Sequence, residues 1–413
     1  MRSPENERPN ATRARRALLL ALGLYLSAQI AVGFALDHAP LRVRFAQAAG
    51  ILRKAADLAR PPDVVILGSS RFRASVRTWV MDEALRAGGG EAPPVLLNAA
   101  VEAGDPLAMD LMLERLLAAS VRPRLVLIEI SPETLARRSG WMNAHIARQL
   151  TFTTAVTILP QIALSRRLDD LLSARLNPVH VYRKEILIWI TGRKPPFLRV
   201  PAPAEAARAR SAARDDDVLR ANLDESEEEI AAAETRHRAG RGARRIRRWL
   251  RGYVIAGFAP ESLDRLLERC RTHGIEAILV APPVAGIHRA QYTPAIDAAF
   301  SAYMTDLTAR HQVRFLDYRE RLPDDLFVDN HHTTERGAHI WSRMLAEEVL
   351  RPAWSRGVRP RRGAPGAERS RHEATGRIGL SFPAGSVRVS AEARLRPAKS
   401  LALVAQPDRA PVS

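Results

Sequence analysis

Residues 64–71 read Val-Val-Ile-Leu-Gly-Ser-Ser-Arg, and this short run decides the fold. Four apolar residues in succession, without polar alternation, are too few for an ordinary helix and predict a strand buried on both faces. Gly68-Ser69-Ser70 ends the run with residues that favour a tight turn. Strands buried on both faces belong to parallel sheets covered by helices on each side. The rest of the chain repeats the pattern. Val95–Asn98, Arg124–Ile130 (RLVLIEI), Ile275–Ala281 (IEAILVA) and Val313–Leu316 are further strand candidates. Pro106–Ala119, Pro260–Thr272, Pro294–His311 and Gly337–Leu350 carry apolar residues at helical spacing. The alternation predicts an α/β domain of three layers, α/β/α, with about five parallel strands.

Ahead of this domain, Ala17–Leu36 (ALLLALGLYLSAQIAVGFAL) has no charged residue and follows Arg13, Arg15 and Arg16. About twenty apolar residues suffice to cross a hydrocarbon core as a helix, and the preceding arginines keep residues 1–16 in the cytoplasm. The competing reading is a cleaved signal peptide, for which the stretch is long and lacks a good small-x-small site. An uncleaved, single-pass anchor at 17–36 is therefore expected, with the main domain outside the cytoplasm, in the periplasm of a cell envelope. Residues 37–60 read as a short amphipathic stem, and 61–351 as the α/β domain. Within it, roughly 140–257 departs from the alternation. That stretch holds Asp215-Asp216-Asp217, Glu227-Glu228-Glu229 and a basic run from Arg241 to Arg251, and reads as a helical insertion that caps the site. Residues 352–413 lack sustained periodicity and are expected to form a disordered basic tail.

Net charge is +18 over 413 residues, and about half of it falls after Arg351. No zinc-binding set, RNA-binding sheet motif or regular basic helix accompanies it, so a nucleic-acid partner is not expected. The lone cysteine, Cys270, excludes an intramolecular disulfide and reads as a buried apolar residue. Hydrophobic residues make up 46% of the chain, which is enough for a core and excludes wholesale disorder.

Two local patterns carry chemistry. Ser70 follows a strand on a Gly-x-Ser turn, which exposes a hydroxyl at the carboxyl edge of the sheet, where open α/β sheets bind ligands. Asp329-Asn330-His331-His332 precedes a helix, and an Asp three residues before a His can hold one imidazole nitrogen while the other faces a serine. His331 is the rival base. Each pattern alone also fits an ordinary turn, and no further ligands near Asp329 suggest a metal. Arg71 either holds an anionic substrate group or pairs with a carboxylate.

Taken in order, strand-Gly68-Ser69-Ser70, Asn98–Gly104 (NAAVEAG), a central strand, and Asp329-x-x-His332-x4-Gly337 resemble the SGNH (GDSL-type) hydrolase and O-acyltransferase superfamily. The resemblance covers about 60–135 and 260–350. It implies Ser70 as nucleophile, His332 as base and Asp329 as its orienting partner. It also implies an oxyanion hole from the backbone amides of Ser70 and Gly104. Arg71 and Asn98, beside these blocks, are candidate substrate contacts. The third block of the superfamily supplies an Asn, whereas here the strand runs into Glu129-Ile130-Ser131-Pro132-Glu133; Asn143 is the nearest substitute. The anchored, cell-envelope branch, similar to the teichoic acid D-alanyl-transfer protein and alginate O-acetyltransferases, shares that departure. It implies acyl transfer or ester hydrolysis on an envelope polysaccharide or related polymer, without a cofactor. A membrane-bound O-acyltransferase is an expected partner. The alternative is a non-catalytic envelope scaffold that keeps the fold.

Overall fold

The structure is a computed structural model and describes residues 8–38, 45–88, 92–137, 150–157, 159, 168–192 and 227–355. Strands β1 (Val64–Leu67), β2 (Leu96–Asn98), β3 (Leu125–Glu129), β4 (Glu276–Ala281) and β5 (Arg314–Asp317) form one parallel sheet in the order β2-β1-β3-β4-β5. The five expected strands are therefore present within a residue or two at each end.

Successive side chains of a strand point to opposite faces, and both faces are covered. Val65, Leu67, Val126, Ile128 and Leu279 meet α2 (Ala46–Asp57), α5 (Pro106–Ala118), α12 (Phe258–Thr272) and α14 (Pro294–His311). Val64, Ile66, Leu125, Leu127 and Ile278 meet α3 (Ser70–Ser75), α4 (Thr78–Ala87) and α15 (Glu335–Met344) on the other side. Each fully buried Val, Leu or Ile is worth about 1.5–3 kcal/mol, so these two clusters hold the sandwich together. Cys270 lies in the first cluster, as expected of a small apolar residue.

Two boundaries need correction. The segment read as a stem contains α2, whose Ala48, Ile51 and Ala55 are buried in the core. Its apolar face is one of the covers of the sheet, and the domain begins there. At the other end, a helical turn, α16 (Arg351–Ser355), buries Ala353, and Arg351 donates to the carbonyl of Ala84, so the folded part runs past 351. The tail expected to be disordered lies, after Ser355, outside the described residues.

The N-terminal helix α1 (Arg8–His38) is long and apolar enough to span a membrane, with a mean hydropathy of 2.0 over its apolar window. The described parts of the insertion are helical: α7 (Phe152–Thr157), α8 (Leu168–Leu176), α9 (Pro178–Val181), α10 (Arg183–Thr191) and α11 (Glu227–Trp249). Short helices α6 (Pro132–Leu135) and α13 (Gly286–Arg289) follow β3 and β4.

Candidate active site

The sheet order reverses between β2 and β3, on either side of β1, and crevices at such points bind ligands. Ser70 stands there, as the first residue of α3. Ser69 caps that helix, its Oγ accepting from the Arg71 amide. Gly68 and Gly104 let the two loops pass closely: a β-carbon on Gly104 would lie 2.3 Å from the Gly68 carbonyl oxygen. No side chain fits in that gap.

From the far side, the loop after β5 brings in the second pattern. Asp329 Oδ1 accepts from the amides of His331 and His332, each at 2.8 Å, which folds the loop around the carboxylate. Its Oδ2 lies 2.7 Å from His332 Nδ1, and His332 Nε2 lies 2.9 Å from Ser70 Oγ. Ser70, His332 and Asp329 thus form a continuous hydrogen-bonded line, within the reach that proton transfer requires. Burial raises the Asp329 carboxyl, but the His332 hydrogen bond, the charges of both histidines and the His331 amide outweigh it and hold Asp329 below its ordinary range. His331 turns away from the serine, edge-on to His288 with ring centroids 5.7 Å apart. Burial, and next the neighbouring charge of His332, push its pKa well down. It is therefore His332 whose imidazole nitrogen meets the Ser70 hydroxyl.

Asp329, His331 and His332 also form a group whose potential ligand atoms lie within 4.8 Å of one another. Two of those three are already committed to each other and to Ser70. The donor set therefore fits a proton relay better than a metal centre.

The remaining candidate residues have structural roles. Arg71 is 1% exposed and donates to Glu129 at 2.8 Å, Glu133 at 2.7 Å and Ser131 at 2.8 Å. Burial works against its charge, but Glu129 and Glu133 more than restore it, and its pKa is raised. Of the two readings of Arg71, carboxylate pairing is the one the geometry supports; a substrate contact is corrected, because protein groups surround the guanidinium. Asn98 is likewise turned inward, its amide donating to the carbonyls of Phe72 and Val76 and its oxygen accepting from the Ala100 amide. It ties β2 to α3 rather than facing a substrate. The Gly104 amide donates to the Val101 carbonyl at 3.1 Å, so it closes a turn and is not presented to an oxyanion. The Ser70 amide, at the start of α3, donates to no protein acceptor among the described residues, and it stays a candidate donor. Asn143 lies outside the described residues.

Glu129 occupies the end of the central strand and is fully buried. It accepts from the Ser69 amide at 2.7 Å, the Ser69 hydroxyl at 2.6 Å and Arg71, pinning the Gly68–Ser70 turn. Arg71 passes the chain on to Glu133, which accepts from Tyr292 at 2.8 Å and approaches His288 at 3.5 Å. Burial alone would raise the Glu133 carboxyl, but Arg71 and His288 hold it well below its ordinary range. His288 then bonds Asn330 at 2.8 Å, next to Asp329. One buried polar network therefore connects Ser69, the residue before Ser70, to Asn330, the residue after Asp329. Sequence reasoning missed it; the only signal was two acids, Glu129 and Glu133, just past an apolar strand.

Above Ser70 lies a cavity of about 570 Å³, lined by Ser70, Ala103, Asp329 and His332 and by the α11 residues Arg238, Arg241 and Arg245. The insertion thus contributes residues to the lining of the cavity. Positions 238, 241 and 245 share one helix face. Gly242 allows α11 to lie against the Asp329–His332 loop, since a β-carbon there would fall 1.9 Å from Asn330 Oδ1. A family model of unassigned function matches residues 255–352, which include β4, β5 and the Asp329–His332 loop. No curated protein matches the chain.

Proposed function

We propose that this protein is a serine-dependent acyltransferase or esterase of the SGNH type, acting on ester groups of a cell-envelope polysaccharide or related polymer. The observation that carries the reading is the hydrogen-bonded line from Ser70 through His332 to Asp329, placed beside a cavity at the reversal point of the sheet. In the proposed reaction, Ser70 Oγ attacks an acyl carbonyl while its proton passes to His332 Nε2. Asp329 holds the imidazole in orientation and supports the imidazolium. Collapse of the tetrahedral intermediate returns that proton to the leaving alcohol and leaves an acyl-Ser70 ester. Water or a sugar hydroxyl, deprotonated by His332, then takes the acyl group and regenerates the serine. The Ser70 amide is the proposed donor to the oxyanion. No step calls for a cofactor.

Arg238, Arg241 and Arg245 give the cavity a positive wall, which supports an ester borne on a molecule with carboxylate or phosphate groups. The long apolar helix α1 supports a membrane-anchored enzyme with its domain on the envelope side. An anchored enzyme could receive its acyl group from a membrane-bound O-acyltransferase. Labelling by a fluorophosphonate tests the reading directly. Wild-type protein is expected to be labelled covalently at Ser70, and His332→Ala to lose labelling. A chain left unlabelled, together with Ser70→Ala and His332→Ala variants that complement a deletion strain as well as wild type, would support the scaffold reading instead.

A further inference from the structure

The helices α8 and α9 pack against α1, α10 follows with Ile186 beside Leu36 and Tyr182, and where they pack fixes their depth. The α8–α9 corner meets α1 well inside its uncharged stretch, Ala17–Leu36. The Val179 amide donates to Gln29 Oε1 at 3.4 Å, and Gly33 faces the Arg175 carbonyl and the Pro178 ring. Gln29 precedes Leu36 by seven residues, which at 1.5 Å per residue puts the corner about 10 Å below the end of the apolar stretch. Higher up, Asp37 pairs with Arg175 at 2.7 Å, and Leu36 packs on Tyr182.

Three features suit this corner to a hydrocarbon setting. Gln29 is only 8% exposed although the next residue, Ile30, is 57% exposed, so the corner shields the polar side chain from whatever surrounds α1. Backbone donors through the corner are used: Asn177 bonds to Ser173, Val181 to Asn177, Tyr182 to Pro178 and Ile186 to Tyr182. Hydrocarbon tolerates only backbone that is satisfied internally. Among the exposed residues of these helices, Leu172, Leu176, Val179, Trp189 and Ile190 are large and apolar; Ser173, His180, Arg183 and Lys184 are exposed as well, and the long stems of Arg183 and Lys184 let their charges reach the interface.

We propose that α8–α10 form a helical hairpin inserted beside α1 into the leaflet on the domain's side, with these apolar residues in contact with lipid acyl chains. The catalytic domain would then be held against the membrane at two points, so that its height and its rotation about α1 are both fixed. The inference rests on α1 crossing the membrane, and the experiment separates the two. Single cysteines replace exposed residues, so folding is not at stake: Leu20→Cys in α1, Leu172→Cys in α8 and Trp189→Cys in α10. Cys270 is buried and its thiol is pushed up to about 12 by burial, so it stays unreactive. Each full-length variant, labelled with a nitrobenzoxadiazole maleimide, is reconstituted into phosphatidylcholine–phosphatidylglycerol vesicles. Quenching by doxyl-labelled lipid and by aqueous iodide is then compared.

The expected result is quenching of all three probes by doxyl lipid, at least severalfold stronger than by iodide. Iodide quenching at 172 and 189 with lipid quenching kept at 20 would overturn the hairpin and leave the anchor standing. Iodide quenching at all three would remove the anchor itself, and the hairpin with it. A probe at 172 or 189 reached by neither quencher would mean that protein covers this face, which also overturns the lipid assignment.

Discussion

In the proposed mechanism the Ser70 hydroxyl, at the start of a short helix, owes its reactivity to one neighbour, and the costs of substitution at each position of the line differ accordingly. Ser70→Ala removes one hydroxyl from a half-buried turn, so labelling and turnover should vanish while unfolding free energy stays within about 1 kcal/mol of wild type. Asp329→Asn should reduce turnover by about a thousandfold or more, because it loosens both the tautomer and the loop that the carboxylate gathers. His331→Ala should keep substantial activity, as that ring faces His288 and not Ser70. The buried network behaves differently. Glu133→Ala would leave Arg71, Tyr292 and His288 without their common partner, and about 3–5 kcal/mol of stability should be lost by denaturant titration. Asp105, the cap of α5, offers a pH test. Burial pushes its carboxyl up to about 6, against the pull of the amides of Ala108, Asp105 itself and Leu107. The folded state thus holds a proton that the unfolded chain releases at about pH 4. Its contribution is complete below that pH and declines as pH rises to about 6, by roughly 3 kcal/mol. Asp105→Asn keeps the cap and does not titrate. Its stability relative to wild type should therefore climb across that window, and two parallel profiles would contradict a raised Asp105.

The helix α11 matters through its position more than its composition. Gly242→Ala should help the isolated helix by about 1 kcal/mol. It nonetheless puts a methyl onto Asn330, so turnover should fall tenfold or more with little change in melting temperature. The Arg241→Gln, Arg245→Gln double variant should raise KM for 4-acetoxybenzoate several-fold while leaving its neutral methyl ester unaffected; equal effects on both would argue against a role in charge recognition. Elements of this kind mark where sequence reading stopped. The five strands, the flanking helices and the Gly68–Ser70 and Asp329–His332 patterns were legible because each is local: an apolar run, a period, a turn. The pairing of Arg71 with Glu129 and Glu133 was not, because nothing in adjacent residues says which buried charges will meet. Nor did composition reveal that α2 covers the sheet, since an amphipathic stem and a packed helix share one pattern. The Gly104 amide was misassigned for a related reason: a motif fixes which residues lie near a serine, whereas a turn decides where each N–H points.

At the scale of the whole molecule, the anchor and the domain make a joint prediction. Alkaline phosphatase fused after Arg60 should be active and a cytoplasmic reporter silent at the same point, since three arginines precede the apolar stretch. The reverse pattern would move the domain to the cytoplasm and exclude an envelope substrate. The connectivity of the sheet has a further consequence, for the order of events as the chain is made. Ser70 and His332 are 262 positions apart, and β3 cannot pair with β4 until the whole insertion has been synthesised. Contacts of such long range are slow to form. A nascent chain therefore carries Ser70 for most of translation without its partner His332. On the proposed mechanism, the line to Ser70 is complete only once the Asp329–His332 loop has been made, so fragments released before it would be inert toward esters.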